Sequence, residues 1–246
     1  MIRFLSLPGV RRLERYFNLD VAFRYLRVRD IVGENPSEKI LEVGSAGEGF
    51  GKYADVTLTA VEPRGGGGAS SRGRVRVVRA SGTSLPFRDR GFDAVLSVDV
   101  LEHVPPADRP VFLRECLRVA ARPFILIFPS GDAAEEHDRE LCAYGETSST
   151  GPDDMLREHL ANGLPAAEEV ARLLHASGRE MEIVRGKSMN LRVRRWVMRR
   201  WTGPGFWNLA FYRAGVLLIP FRRRLDAGPC YRAVLDVRLR EVGIPD

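Results

Sequence analysis

Two glutamates and the glycines between them are the residues of this chain whose types and spacing indicate ligand chemistry. Glu42 lies in a short apolar run, and the loop that follows carries glycines at positions 44, 47, 49 and 51. Such a run is typical of a buried strand, and glycines after it mark a tight turn that a ligand can approach closely. Glu62 closes the next apolar run, 20 residues after Glu42. A carboxylate there can accept two hydrogen bonds from the neighbouring hydroxyls of a ribose.

Two other nucleotide-binding loops do not match this stretch. A Walker phosphate loop requires G-x-x-x-x-G-K-[ST], but Ala46 stands at the first glycine position and a tyrosine follows the lysine. A dinucleotide fingerprint requires G-x-G-x-x-G, whereas the glycines from Gly44 to Gly49 are spaced G-x-x-G-x-G. The interpretation of this loop therefore depends on the acidic residues near it, Glu42 and Glu62.

The pattern Glu42-x-Gly44, together with Glu62, resembles the first two motifs of the class I S-adenosylmethionine-dependent methyltransferases. The stretch FDAVLSVDVLEHV, residues 92–104, is similar to the fourth-strand signature of the type 11 methyltransferase domain family. SGTSLPF, residues 81–87, lies where that family has an acid, a small residue and then Leu-Pro-Phe. These motifs follow in order from about residue 38 to 130, at the spacing that successive βαβ units require.

The resemblance implies the fold, the cofactor and the cofactor site. The fold is α/β, a Rossmann-like doubly wound, mostly parallel seven-stranded sheet with an antiparallel edge strand. The cofactor is S-adenosylmethionine, with its ribose on Glu62 and its methionine part above the glycine loop. The implied contacts are Glu42, Gly44, Ser45, Gly47, Gly49, Glu62, Ser81, Gly82 and Asp99.

Three positions depart from the family pattern. Ala46 and Glu48 stand where the family has glycine, and Ser81 replaces the acid that meets the adenine amino group. A serine removes a charge but leaves a hydrogen-bond acceptor. These departures keep open the alternative of a non-catalytic relative that retains the fold as a binding module.

His103 is the candidate catalytic residue. It lies just past the fourth predicted strand, where it could remove the proton of a methyl acceptor. The alternative is that it packs against the following turn. His137 is a second candidate, and neither these two nor His159 and His175 show the spacing of a metal-ligand motif, so no metal is predicted.

Periodicity places these motifs on strands and helices. Residues 1–37 are predicted to form a helical cap, whose helix begins at Asn18 or Asp20 and ends at Gly33. The methyltransferase domain is predicted over residues 38–246. Strands are predicted at 74–80, 92–98, 123–130, 181–186 and 231–239, and helices at 107–121 and 165–177. The glycine-rich stretch 64–73 is predicted to be a loop, and the polar stretch 131–154 an irregular substrate lid.

Composition indicates a chain that folds in a reducing compartment. Its 246 residues bury enough surface to fold without disulfides or metals. The three cysteines, an odd count, have no paired spacing. The apolar part of the first 17 residues is short and interrupted by arginines, so we expect no signal peptide and a cytoplasmic protein.

The basic charge of the chain is local. Between Glu182 and Asp226 there are eleven basic residues and no acid, while the whole chain carries a net charge of +6. This segment is predicted to be a helical insertion at about 187–230. It could cap the substrate, rest on an anionic membrane surface, or bind RNA. Its aromatic residues include Trp196, Trp201, Phe206 and Trp207.

The apolar part of this segment, 16 residues long, is too short to span a bilayer but can lie on one. Nucleic-acid surfaces are seldom so apolar, so a membrane is favoured over RNA. The sequence therefore predicts a methyltransferase that acts on a small or lipid-linked acceptor. An RNA methyltransferase is the alternative within the same class.

Overall fold

The computed structural model describes residues 14–33, 39–44, 49–63, 75–147, 154–201 and 213–240. In this part of the chain seven strands form one sheet. They are β1 (Ile40–Val43), β2 (Leu58–Glu62), β3 (Val75–Arg79), β4 (Ala94–Val98), β5 (Pro123–Pro129), β6 (Met181–Asn190) and β7 (Cys230–Leu239).

The strand order is β3-β2-β1-β4-β5-β7-β6, with β7 antiparallel to both of its neighbours. The other neighbouring pairs are parallel. The chain order reverses between β1 and β4, and ligands of such sheets bind at the carboxyl ends of the strands at this point. The doubly wound α/β fold predicted from the sequence is confirmed.

Helices cover both faces of the sheet. They are α1 (Leu19–Val32), α2 (Arg109–Val119), α3 (Asp132–Thr147), α4 (Asp154–Asn162), α5 (Ala167–His175), α6 (Leu191–Trp201) and α7 (Arg222–Leu225). Short 3-10 helices span Glu14–Tyr16, Gly49–Lys52, Leu101–His103 and Gly215–Phe221. One hydrophobic cluster joins the sheet to α2 and α5, and a second joins it to α1.

Helix α1 begins and ends where its sequence predicts. The Asn18 side chain accepts a hydrogen bond from the Val21 backbone N–H at 3.1 Å, which satisfies a donor of the first turn. Gly33 ends the helix with φ +95°. Local side-chain chemistry therefore fixes both ends of this element.

The prediction of an irregular lid over residues 131–154 is wrong, because most of this stretch is helix α3. The inward face of α3 carries the buried residues Ala134, His137, Asp138, Leu141 and Cys142. Two of these five are polar, so the face lacks the apolar periodicity that reveals an amphipathic helix in a sequence. Residues 148–153 lie outside the described residues.

Other predicted elements differ mainly at their ends. Strand β6 continues past residue 186 to Asn190, because this extension pairs with β7. Residues 191–201, within the predicted helical insertion at about 187–230, form α6. The predicted loop at 64–73 and the aromatic residues Phe206 and Trp207 lie outside the described residues.

Candidate active site at the carboxyl ends of the strands

The turn after β1 requires glycine at its first position. Gly44 has φ +78°, and its N–H donates to the Val61 carbonyl at 2.8 Å. A Cβ atom there would lie 2.5 Å from Val100 Cγ2. Both the backbone conformation and this close approach therefore exclude a larger residue. Gly49 closes the loop with φ +51°, and Ser45 and Gly47 lie outside the described residues.

Glu42 fixes the far end of the same loop. Its buried carboxylate accepts a hydrogen bond from the Tyr25 hydroxyl at 2.7 Å and another from the Phe50 backbone N–H at 2.8 Å. Burial raises the pKa of Glu42 to about 7, although the hydrogen bonds from Phe50 and Tyr25 oppose this rise. Glu42 therefore positions the loop through its hydrogen bonds.

Stability should depend on pH through Glu42, and Glu42→Gln tests this. The folded protein keeps a proton that the unfolded chain releases between pH 4.5 and about 7. Stability is therefore lost as pH rises through this window, by about 3 kcal/mol. A glutamine cannot titrate, yet it can still accept from Phe50 and donate to the Tyr25 hydroxyl. We expect the variant to gain stability relative to the parent between pH 5 and 8 in urea unfolding. A constant difference across that range would contradict the assignment.

Glu62 and the residues after β3 lie at the same edge of the sheet as Gly44. The parallel register pairs Val43 with Val61, so the half-buried Glu62 lies next to the turn after β1. Gly82 packs closely, because a Cβ there would lie 2.5 Å from a ring carbon of Phe112.

Ser81 is exposed after β3, and its hydroxyl lies in a local turn. Its Oγ is 2.8 Å from Thr83 Oγ1 and accepts a hydrogen bond from the Thr83 backbone N–H. The fold thus brings the described members of the predicted cofactor site to one edge. Their contact with a cofactor remains a prediction.

Asp99 follows β4 with φ +52°, and arginines surround its carboxylate. Arg24 donates to it at 2.7 Å, and Arg232 donates from Nε at 2.8 Å and from Nη2 at 2.7 Å. Burial would raise the pKa of Asp99, but Arg232 and Arg24 outweigh burial and lower it. The carboxylate that was predicted to line the cofactor crevice is therefore part of a buried ion cluster.

His103 has partners that the sequence did not reveal. Its Nδ1 lies 2.8 Å from Glu158 Oε2, and its Nε2 lies 3.3 Å from Nε2 of His159. His159 Nδ1 in turn lies 2.9 Å from Asp138 Oδ2. The buried Glu102 carboxylate lies 3.9 Å from His159 Nε2. We call these five residues the histidine cluster.

The histidine cluster brings together side chains that are far apart in the sequence. The spacing of the histidines in the sequence shows no metal-ligand motif, and the fold brings His103 and His159 together across 56 positions of the chain. His137, the second candidate base, is fully buried on α3, and burial lowers its pKa to about 3. Neither of its ring nitrogens has a hydrogen-bond partner within the described residues. It is therefore not placed to reach an acceptor.

The strand order and the glycine turn define a Rossmann-like α/β domain whose ligand site lies at the carboxyl ends of the strands. Residues 29–128 match the family described as "Methyltransferase domain". The resemblance found in the sequence is therefore confirmed over this stretch of the chain.

Solved structures share this fold. An S-adenosylmethionine-dependent methyltransferase from Thermotoga maritima is 20% identical, with a TM-score of 0.51 over 94% of this chain and 96% of its own. The YcgJ protein from Bacillus subtilis is 14% identical, with a TM-score of 0.52 over 89% of this chain and 99% of its own. At these identities the similarity concerns the fold alone. No curated protein matches the sequence.

Proposed function

We propose that this protein transfers a methyl group from S-adenosylmethionine to an oxygen, nitrogen or carbon of a small or lipid-linked acceptor. The observation that carries the proposal is the juxtaposition of Gly44 and Glu62 at the carboxyl edge of the sheet, inside a methyltransferase domain. Gly44 has no side chain, and Val100 fills the space beside it, so the turn after β1 lies close to the carboxyl end of β4.

The residues at this edge fit the cofactor. Glu62 offers a carboxylate to the ribose hydroxyls, and Ser81 offers a hydroxyl oxygen on the adenine side. When bound, S-adenosylmethionine supplies a methyl group already activated by a positive sulfur. The protein then needs to hold two reactants in line and to exclude water.

The acceptor would enter beside the histidine cluster. Val100 packs beside Gly44, and His103 lies three residues after Val100 in the chain. The His103 side chain is 21% exposed. Glu158 orients the ring of His103. An acceptor bound there lies next to the glycine turn and next to a group that can take its proton.

Calorimetric titration with S-adenosylhomocysteine tests the proposal. This product retains the nucleoside and the thioether that the site would hold, so we expect saturable binding to one site per chain. Absence of binding at high concentration would contradict an S-adenosylmethionine-dependent enzyme and would favour the non-catalytic alternative.

The basic helix α6 has two distinct faces. On the inner face Arg194 lies over the Tyr231 ring at 3.4 Å and 3.3 Å from Asp138 Oδ1. The outer face borders a surface groove of about 330 Å³, lined by Arg192, Arg195, Trp196 and Arg199. Part of the basic charge is therefore structural, and part faces outward.

Exposed apolar side chains lie on the adjoining 3-10 helix. Leu217 is 71% exposed and Phe221 is 53% exposed. Their neighbours Leu218 and Ile219 pack in the same core cluster as Val197 of α6. Outward arginines and exposed apolar side chains thus belong to one packed unit, which we call the basic-aromatic surface.

We propose that the basic-aromatic surface rests on an anionic membrane and brings the site to a lipid-linked acceptor. Arginines favour lipid phosphates, and exposed apolar side chains favour the interface over a nucleic acid. Within the described residues, no helix combines the length and apolar character that crossing a bilayer requires.

Vesicle co-sedimentation tests this surface. We expect the protein to sediment with vesicles rich in phosphatidylglycerol and much less with phosphatidylcholine vesicles. Leu217→Ser combined with Phe221→Ser should lower the bound fraction by roughly tenfold, since two apolar side chains no longer enter the interface. Val184→Thr, which changes an exposed apolar residue on β6, is the control. Equal sedimentation of parent and double variant would contradict the proposal.

A further inference from the structure

Two of the three carboxylates of the histidine cluster, Asp138 and Glu158, set the positions of the imidazole protons. Asp138 also accepts from the Tyr231 hydroxyl at 2.7 Å and from Arg194 at 3.3 Å, so it acts as an acceptor. An ionised carboxylate cannot donate, and each Nδ1 next to a carboxylate therefore carries the ring proton. In a neutral ring, Nε2 then presents a lone pair.

Two such lone pairs face each other across the cluster. Nε2 of His103 and Nε2 of His159 are 3.3 Å apart, and two acceptors at this distance repel unless something positive lies between them. Two ligands of a tetrahedral ion, each about 2.0–2.1 Å from it, lie about 3.3 Å apart. The spacing of the two nitrogens therefore matches a shared metal ion.

Glu102 provides a second, independent observation. Its carboxylate is fully buried, and neither oxygen has a hydrogen-bond partner among the described residues. An isolated buried carboxylate is costly. A proton on His159 Nε2 would relieve the nitrogen pair, but one N–H directed at His103 Nε2, 3.3 Å away, leaves Glu102 at 3.9 Å without a hydrogen bond. A cation satisfies all three groups.

We propose that Glu102, His103 and His159 hold a divalent transition-metal ion of the zinc type. Their ligand atoms all lie within 4.8 Å of one another, and a small movement of the Glu102 side chain completes the site. Asp138 and Glu158 orient the two rings from behind, as carboxylates commonly do for metal-bound histidines. Two imidazoles and one carboxylate leave an open coordination position.

The open position gives the metal a role that rests on the proposed function. The site adjoins the turn at Gly44 through Val100, so a coordinated acceptor hydroxyl would lie near the bound cofactor. A divalent ion lowers the pKa of a coordinated hydroxyl, whose proton then passes to solvent more readily. His103 acts in this case as a ligand, and the acceptor class becomes a hydroxyl.

Zinc binding by the full chain tests the site. Chelator-treated protein is dialysed against Zn²⁺, and bound metal is measured by mass spectrometry. We expect one ion per chain, with affinity about 100-fold or more weaker in His159→Gln and in Glu102→Gln. His175→Gln, which changes an exposed histidine outside the cluster, is the matched control and should bind like the parent.

Cobalt substitution gives a readout apart from activity. Co²⁺ in the parent should show the visible absorption of a four- or five-coordinate ion, and His159→Gln should lose it. If the parent binds the metal ion no more tightly than His159→Gln and Glu102→Gln do, the proposed site is wrong. Circular dichroism checks their folding, and Glu102→Gln serves if His159→Gln fails to fold.

Titration with S-adenosylhomocysteine separates failure of the metal site from failure of the proposed function. If the parent protein binds no metal but still binds S-adenosylhomocysteine, only the metal site is wrong. If the parent protein binds the metal but not S-adenosylhomocysteine, only the proposed function is wrong.

Discussion

Replacing Arg232 with methionine is expected to lower the free energy of unfolding by about 3–5 kcal/mol. The Arg232 side chain is 1% exposed, and it donates two hydrogen bonds to Asp20, at 2.9 and 2.7 Å. It also donates to Asp99 from Nε and Nη2. Without the guanidinium, two carboxylates stay close together inside the protein with less positive charge beside them, and burial of an uncompensated charge is costly.

Urea unfolding measures this loss, and a second arginine on the same strand is the control. Arg238 is 57% exposed and pairs with Asp236 at 2.9 Å, so Arg238→Met should cost about 1 kcal/mol or less. Adding Asp20→Asn and Asp99→Asn to Arg232→Met should recover part of the loss, because the cost arises from unpaired charge. Equal stability of the two single variants would contradict the proposed role of the ion cluster.

Replacing Glu62 with glutamine is expected to weaken binding of S-adenosylhomocysteine by about 10- to 100-fold. Hydrogen bonds to a charged group contribute about 1.5–3 kcal/mol, and this range corresponds to that loss of affinity. The amide keeps one acceptor oxygen but presents an N–H₂ donor where the second hydroxyl needs an acceptor. Calorimetry at fixed salt measures the two dissociation constants.

Glu182→Gln is the matched control for Glu62→Gln. Glu182 is exposed near the start of β6, the outermost strand on the side of the sheet away from β2. Its loss should therefore leave the affinity for S-adenosylhomocysteine unchanged. Unfolding curves of both variants show whether a change in affinity arises from stability. If Glu62→Gln binds the nucleoside as tightly as the parent, the ribose role is wrong and Glu62 is an ordinary acid at a strand end.

The basic segment shows why charge counts in a sequence mislead. Between Glu182 and Asp226 the sequence contains no acid, yet several arginines of this segment pair with acids from elsewhere. Arg194 pairs with Asp138, and Arg195 pairs with Glu140. These partners lie 56 and 55 residues away in the chain. The net charge of a segment therefore overstates the charge that it presents to a partner.

Sequence alone determined the elements whose causes are local. The apolar runs became buried strands, Asn18 capped α1, and the glycine after β1 took a conformation that other residues avoid. These features depend on residues within a few positions of one another. They can therefore be recognised from the order of residue types in the sequence. For the same reason the family motifs predicted the fold, and residues 29–128 match a methyltransferase domain.

Tertiary structure decided the features that join distant parts of the chain. Helix α3 was hidden because its buried face carries His137 and Asp138, whose burial depends on partners in other elements. Arg232 meets Asp20 across 212 residues, and His103 meets His159 across 56. Side-chain electrostatics act through space over a few ångströms, and no pattern of neighbours in the sequence records which side chains the fold will bring that close.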